Sequence, residues 1–113
     1  MEQYNVVLMA AAEMDILDAV RYISTELEEP HTAERILTRI DETIVSLEFM
    51  PERYGLVKDN YLAGRGFHAT TVGNYTVFYR VNHAARRVSI SRVLYARRDW
   101  QSILKEQDGD ESL

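Results

Sequence analysis

Val72-Gly73-Asn74-Tyr75-Thr76-Val77-Phe78-Tyr79-Arg80-Val81, followed by Val88-Ser89-Ile90-Ser91-Arg92-Val93-Leu94-Tyr95-Ala96-Arg97-Arg98-Asp99-Trp100, decides the fold class of this 113-residue chain. Gly73-Asn74 is a tight-turn signal between two β-branched and aromatic runs. Tyr75, Val77, Tyr79 and Val81 alternate with Thr76, Phe78, Arg80 and Asn82. Both sets are apolar enough to put this run at the centre of a sheet. Residues 82–86 turn the chain, and 87–95 form the last strand, with Val88, Ile90 and Leu94 on one side. Strict alternation puts Arg92 on that core-like side too, so either it leaves at the sheet's rim or a bulge re-aims it. Residues 65–72 are the first and least regular strand of the three.

Upstream, residues 4–8 are short and β-branched and read as another strand. The period then changes. Ala12, Ile16, Ala19, Val20, Ile23 and Leu27 recur at three- and four-residue steps, one face of an amphipathic helix, with Glu13, Asp15, Asp18 and Glu26 mainly on its wet side. Pro30 ends this helix or opens the next. A second helix over 31–49 carries Ala33, Ile36, Leu37, Ile40, Ile44 and Leu47, and Pro51 closes it. The short link makes the two an antiparallel hairpin. Residues 51–64 form a loop with local order around Leu56 and Val57, and 97–104 a short helix anchored by Trp100, Ile103 and Leu104. The order β-α-α-β-β-β-α predicts an α+β fold: a helical hairpin on one face of a mostly antiparallel four-stranded sheet, the other face open. One domain spans 1–105, and 106–113 is a disordered acidic tail.

With 46% apolar residues and eleven aromatics, the chain can bury one compact core. It has no cysteine, which removes disulfides, thiol nucleophiles and thiolate metal sites together. No secretory signal is visible, and no apolar run approaches the roughly 18 residues of a membrane span, so a soluble, cytoplasmic protein without membrane contact is expected. The net charge of −5 is unevenly divided. Residues 1–60 hold thirteen acids and five bases. Residues 61–105 hold eight bases (Arg65, Arg80, Arg86, Arg87, Arg92, Arg97, Arg98, Lys105) against Asp99 alone, and 106–113 add four acids. An arginine-rich region in an acidic chain suggests a local anion site. Arginines paired with helix carboxylates are the plainer alternative.

There is no Gly-rich phosphate loop and no serine nucleophile elbow, and the spacing of His31, His68 and His83 suits no metal. No cofactor is expected. What remains is the open sheet face and its rim: Arg65, His68, Tyr79, Arg80, Arg92, Tyr95, Arg97 and Arg98. Cutting RNA needs a base for a 2′-hydroxyl, cations for the charge growing on phosphorus, and an acid for the leaving oxygen. Arginines can stabilise the charge, His68 or a tyrosine can move protons, and tyrosine faces can stack bases. On the plainer reading Tyr75, Phe78 and Tyr79 are core, His68 is a strand residue facing solvent, and Arg97-Arg98-Asp99 is a charge cluster at a helix start.

Asp15-Ile16-Leu17-Asp18-Ala19-Val20-Arg21-Tyr22-Ile23-Ser24, then Leu27, Pro30 and Ala33, precede the two quoted strand segments in a characteristic order. Together, over about residues 4–105, they resemble the RelE/ParE superfamily of type II toxins. That resemblance implies a cytoplasmic toxin held inactive by a cognate antitoxin in a hetero-oligomer. The antitoxin would land on the basic sheet face and the grooves beside the helical hairpin. RelE-like members cut mRNA on the ribosome without metal, whereas ParE-like members share the fold and poison DNA gyrase. Arg92 matches the family's arginine near the end of the last strand, Tyr95 the following aromatic, and Arg97-Arg98-Asp99 the terminal motif. Arg65 or His68 falls where many members have an arginine. The lysine pair of potent RelE-like nucleases is missing.

The leading expectation is a ribosome-dependent mRNA endonuclease. Its catalytic residues would be Arg65, His68, Arg92, Tyr95 and Arg97, with Tyr79, Arg80 and Arg98 binding RNA or a partner. A gyrase inhibitor is the alternative, favoured by few lysines and net acidity. A non-toxic antitoxin-binding member is a third reading.

Overall fold

The computed structural model describes residues 2–111, with side chains through Gly109. Strands β1 (Asn5–Leu8), β2 (His68–Val72), β3 (Tyr75–Asn82) and β4 (Arg87–Tyr95) form one sheet in the order β1-β4-β3-β2. β2, β3 and β4 pair antiparallel, and Gly73 supplies the positive φ, 58°, that the tight β2–β3 turn requires. β1 lies parallel to β4, a pairing that needs a long intervening crossover. That crossover contains α1 (Ala10–Arg21) and α2 (Pro30–Ser46). Pro30 opens α2, where its missing N–H costs nothing. α1 runs directly into a π-helical turn, Tyr22–Glu26, and the link to α2 passes through Glu28 at a φ of 52°.

The hairpin covers one sheet face. Ala12, Ile16, Ile40 and Ile44 pack there against Val77, Tyr79, Val88, Ile90 and Val93, each large aliphatic side chain contributing about 1.5–3 kcal/mol when fully buried. The opposite face, expected to be open, is covered. Val57, Leu62 and Phe67 close over Phe78 and Leu94 from one side and Leu104 from the other, and the Trp100 ring stacks on Phe78 at 5.2 Å. A strand pair with large apolar groups on both faces requires such a cover. The stretch expected as a loop supplies it through a 3-10 turn, Pro51–Arg53, and a short helix α3 (Asn60–Gly64). Asp59 caps α3 by accepting the Leu62 N–H at 3.0 Å.

The last helix, α4, spans Trp100–Glu111, with the Asp99 carboxylate accepting the Ser102 N–H at 3.3 Å near its start. It therefore runs past Lys105, and the segment expected as a disordered tail is helical through Glu111; Ser112 and Leu113 lie outside the described residues. The reason is on its inner face. Leu104 and Asp108, one turn apart, are 0% and 1% exposed, and Gln107 Nε2 donates to the Ser91 carbonyl at 3.3 Å. Among the described residues no helix is long and apolar enough to cross a membrane.

β4 carries one residue more than β3 opposite it. Tyr79 faces Ile90 while its neighbour Phe78 faces Arg92, so Ser91 is the extra residue of a bulge. The bulge takes Arg92 out of the alternation set by Val88 and Ile90.

Candidate functional site

Beyond its pairing with β1, β4 has a free edge. β1 ends at Leu8 opposite Ile90, and Met9 N–H makes a last bond to the Ile90 carbonyl at 3.0 Å. α1 then crosses the edge and brings Asp15 to it. Asp15 Oδ2 accepts the Val93 N–H at 2.9 Å, and its two oxygens accept Arg92 Nε and Nη2 at 2.7 Å each. The Arg92 side chain is 20% exposed and that of Asp15 10%. The Asp15 hydrogen bond outweighs the opposing effect of burial and raises the Arg92 pKa further. Arg92 is a fixed, bidentate partner of α1.

Arg65 and Arg80 are brought together on α4's buried carboxylate. Arg65 Nε lies 2.9 Å from Asp108 Oδ2 and Arg80 Nη1 3.6 Å from Oδ1, while the Tyr61 hydroxyl donates to Oδ2 at 3.3 Å. Arg80 Nε also donates to the Arg65 carbonyl at 3.0 Å, and its guanidinium sits 5.0 Å above the Phe67 ring.

His68 and Tyr79 also meet, in the interior. Their rings stack at 5.2 Å. His68 Nδ1 is 2.8 Å from the Tyr54 carbonyl, and the Tyr79 hydroxyl donates to the Pro51 carbonyl. His68 is 6% and Tyr79 0% exposed. Burial pushes the Tyr79 hydroxyl up to about 12, so it stays protonated at neutral pH. His68, read as solvent-facing in the plainer account, is instead packed beneath the Pro51–Arg53 turn.

The remaining three lie at the end of β4. Arg97 is exposed. Tyr95 and Arg98 line a groove of about 680 Å³ between the hairpin and the strand ends. Tyr75 and Tyr95 meet there edge to face at 5.6 Å, Tyr22 enters from the π-helical turn, and Ile23, Leu27 and Ile36 supply apolar lining. Burial first, then neighbouring Tyr95 and Tyr22, raise the Tyr75 hydroxyl.

The eight residues thus fall into separate settings: Arg65 with Arg80, His68 with Tyr79, Tyr95 with Arg98, Arg92 held by α1, and Arg97 exposed after β4. Among the described residues no group of three or more His, Asp or Glu could hold a metal ion. Sequence reasoning missed Asp15, Tyr22 and Asp108. Asp15, Asp18 and Tyr22 are three and four residues apart, one stripe of α1, and that spacing was the available signal. For Asp108 the signal was its helical step from Leu104.

The sequence model of the family described as "ParE toxin of type II toxin-antitoxin system, parDE" matches residues 6–100. Among solved structures, the chromosomal ParDE toxin–antitoxin system of P. aeruginosa aligns with a TM-score of 0.70 at 15% identity, covering 86% of this chain and 100% of that one. The RelBE2 toxin–antitoxin complex of Mycobacterium tuberculosis aligns with a TM-score of 0.60 at 22% identity, covering 82% and 98%. These two likenesses show a shared fold. No curated protein matches the chain.

Proposed function

The chain belongs to the ParE toxin family of type II toxin–antitoxin systems, and from that premise we propose that it acts by binding a protein target, DNA gyrase, rather than by cutting mRNA. The carrying observation is the state of Arg92. Its Nε–H and one Nη2–H are committed to Asp15 at 2.7 Å inside the fold, so the charge a phosphate would need is already compensated by a largely buried carboxylate. The same logic applies to His68, whose Nδ1 faces the Tyr54 carbonyl, and to Arg65 beside buried Asp108. A general base, a general acid and free cations converging on one point are what RNA cleavage asks for, and these side chains serve the fold instead. The exposed groups at the end of β4, Tyr95, Arg97 and Arg98, are suited to docking.

A cognate antitoxin is the second partner in this reading, since both solved neighbours come from toxin–antitoxin systems. The antitoxin would hold the toxin inactive in a hetero-oligomer.

The test is pulse-labelling directly after the chain is induced alone. Thymidine incorporation falls before amino-acid incorporation on this reading. The reverse order would restore the mRNA-cleaving account, and unimpaired growth would mark a non-toxic, antitoxin-binding member.

A further inference from the structure

The groove at the end of β4 has a charge pattern across it. On the hairpin wall stand Asp18 and Glu29, both exposed; on the strand wall stands Arg98. Asp15, at the groove's end, is already neutralised by Arg92. None of Asp18, Glu29 or Arg98 has an ion-pair partner among the described residues. Between the walls, Tyr75 and Tyr95 meet edge to face, and Tyr22 lines the same groove over apolar residues. Tyr22 is 52% and Tyr95 42% exposed, and Leu27 on the same rim is 48% exposed.

The backbone that builds this rim is irregular. Tyr22 begins a π-helical turn, with Leu27 N–H bonding the Tyr22 carbonyl at 3.2 Å, and Glu28 follows in the left-handed region at 52°. A non-glycine residue there carries strain, and π turns and such strained residues concentrate at functional sites.

We propose that this groove recognises a lysine or arginine side chain carried on an apolar segment of the antitoxin. The apolar side chains of that segment cover Leu27, Ile23 and Ile36. Its cation sits against the tyrosine faces, which attract it through their ring quadrupoles, and beside the carboxylates of Asp18 and Glu29. An acidic residue on the same segment meets Arg98, which fixes the direction in which the segment lies. Two uncompensated acids and one base give the groove a preference for a net cationic segment even where the antitoxin as a whole is acidic. The inference rests on membership of a toxin–antitoxin family and not on the identity of the toxin's target.

The probe is the small protein encoded beside this chain, coexpressed and purified as the complex. Asp18→Lys and Tyr22→Ala change exposed side chains and leave the core intact, which circular dichroism verifies. Each is expected to weaken antitoxin binding by about tenfold or more while expression of the variant alone remains toxic. Replacing one antitoxin lysine or arginine by glutamate is expected to restore binding to Asp18→Lys. Unchanged affinity in both variants would overturn the proposal. So would toxicity lost with antitoxin affinity kept, which would assign the groove to the toxin's target.

Discussion

Asp15 and Arg92, 77 residues apart in sequence, lock the helical hairpin to the bulged strand through two parallel hydrogen bonds of 2.7 Å. The same carboxylate takes the Val93 N–H at 2.9 Å, at the edge of β4 that β1 has ceased to pair. One side chain of α1 therefore does the work of a missing strand and of a counter-ion.

The clamp makes Arg92→Ala a stability variant. Removing one partner leaves the other charge buried, which costs about 3–5 kcal/mol. Asp15→Ala loses in addition the acceptor for Val93 N–H. Urea denaturation is expected to show both midpoints falling steeply with little change in slope. Arg97→Ala, at an exposed position, stays within about 0.5 kcal/mol of the parent. A fully stable Arg92→Ala protein without toxicity would return Arg92 to a direct role.

Deleting residues 106–113 tests the role of α4's second half. A solvated tail would be removed without consequence. Here the deletion takes away Asp108, 1% exposed and paired with Arg65 and Arg80, and Gln107, bonded to the bulged Ser91. Loss of about 1–3 kcal/mol is expected, with faster hydrogen exchange over residues 100–105. Unchanged exchange there would show that the helix holds without its end.

Tyr79 gives a pH signature. Its ionisation is pushed from the ordinary 10.0 to about 12 by burial, so between those values the unfolded chain releases a proton that the folded one retains. Stability is complete below pH 10 and falls as pH rises toward 12. Tyr79→Phe should flatten that stretch of the stability curve, while also losing the bond to the Pro51 carbonyl. A parent curve as flat as the variant's would refute the buried hydroxyl.

The strands and the hairpin were legible because their periods are clean: alternation over 75–82, and three- and four-residue steps over 12–27 and 33–47. The β2–β3 turn was legible in Gly73-Asn74 alone. The cover over the second sheet face was not, because Val57, Leu62 and Phe67 are scattered in a stretch without period and gain meaning only against Phe78 and Leu94. The arginines were legible as a cluster but not as a site. Arg65, Arg80 and Arg92 look alike in sequence, and only the fold reveals that Asp108 and Asp15, one in an apparent tail and one on an apparently wet helix face, neutralise them. The bulge at Ser91 follows from pairing across β3 and β4, which no single strand's pattern encodes. Tyr22 lay in plain view on the stripe of Asp15 and Asp18, but the π turn that carries it to the groove leaves no mark in an ordinary helical count.

The most direct test of the central claim uses purified chain, purified gyrase and plasmid DNA, beside a cell-free translation reaction with labelled mRNA. The account predicts that supercoiling stops and gyrase-dependent DNA breaks accumulate, while the mRNA in the translating reaction stays intact. Cleavage of the mRNA on ribosomes with gyrase left fully active would contradict it.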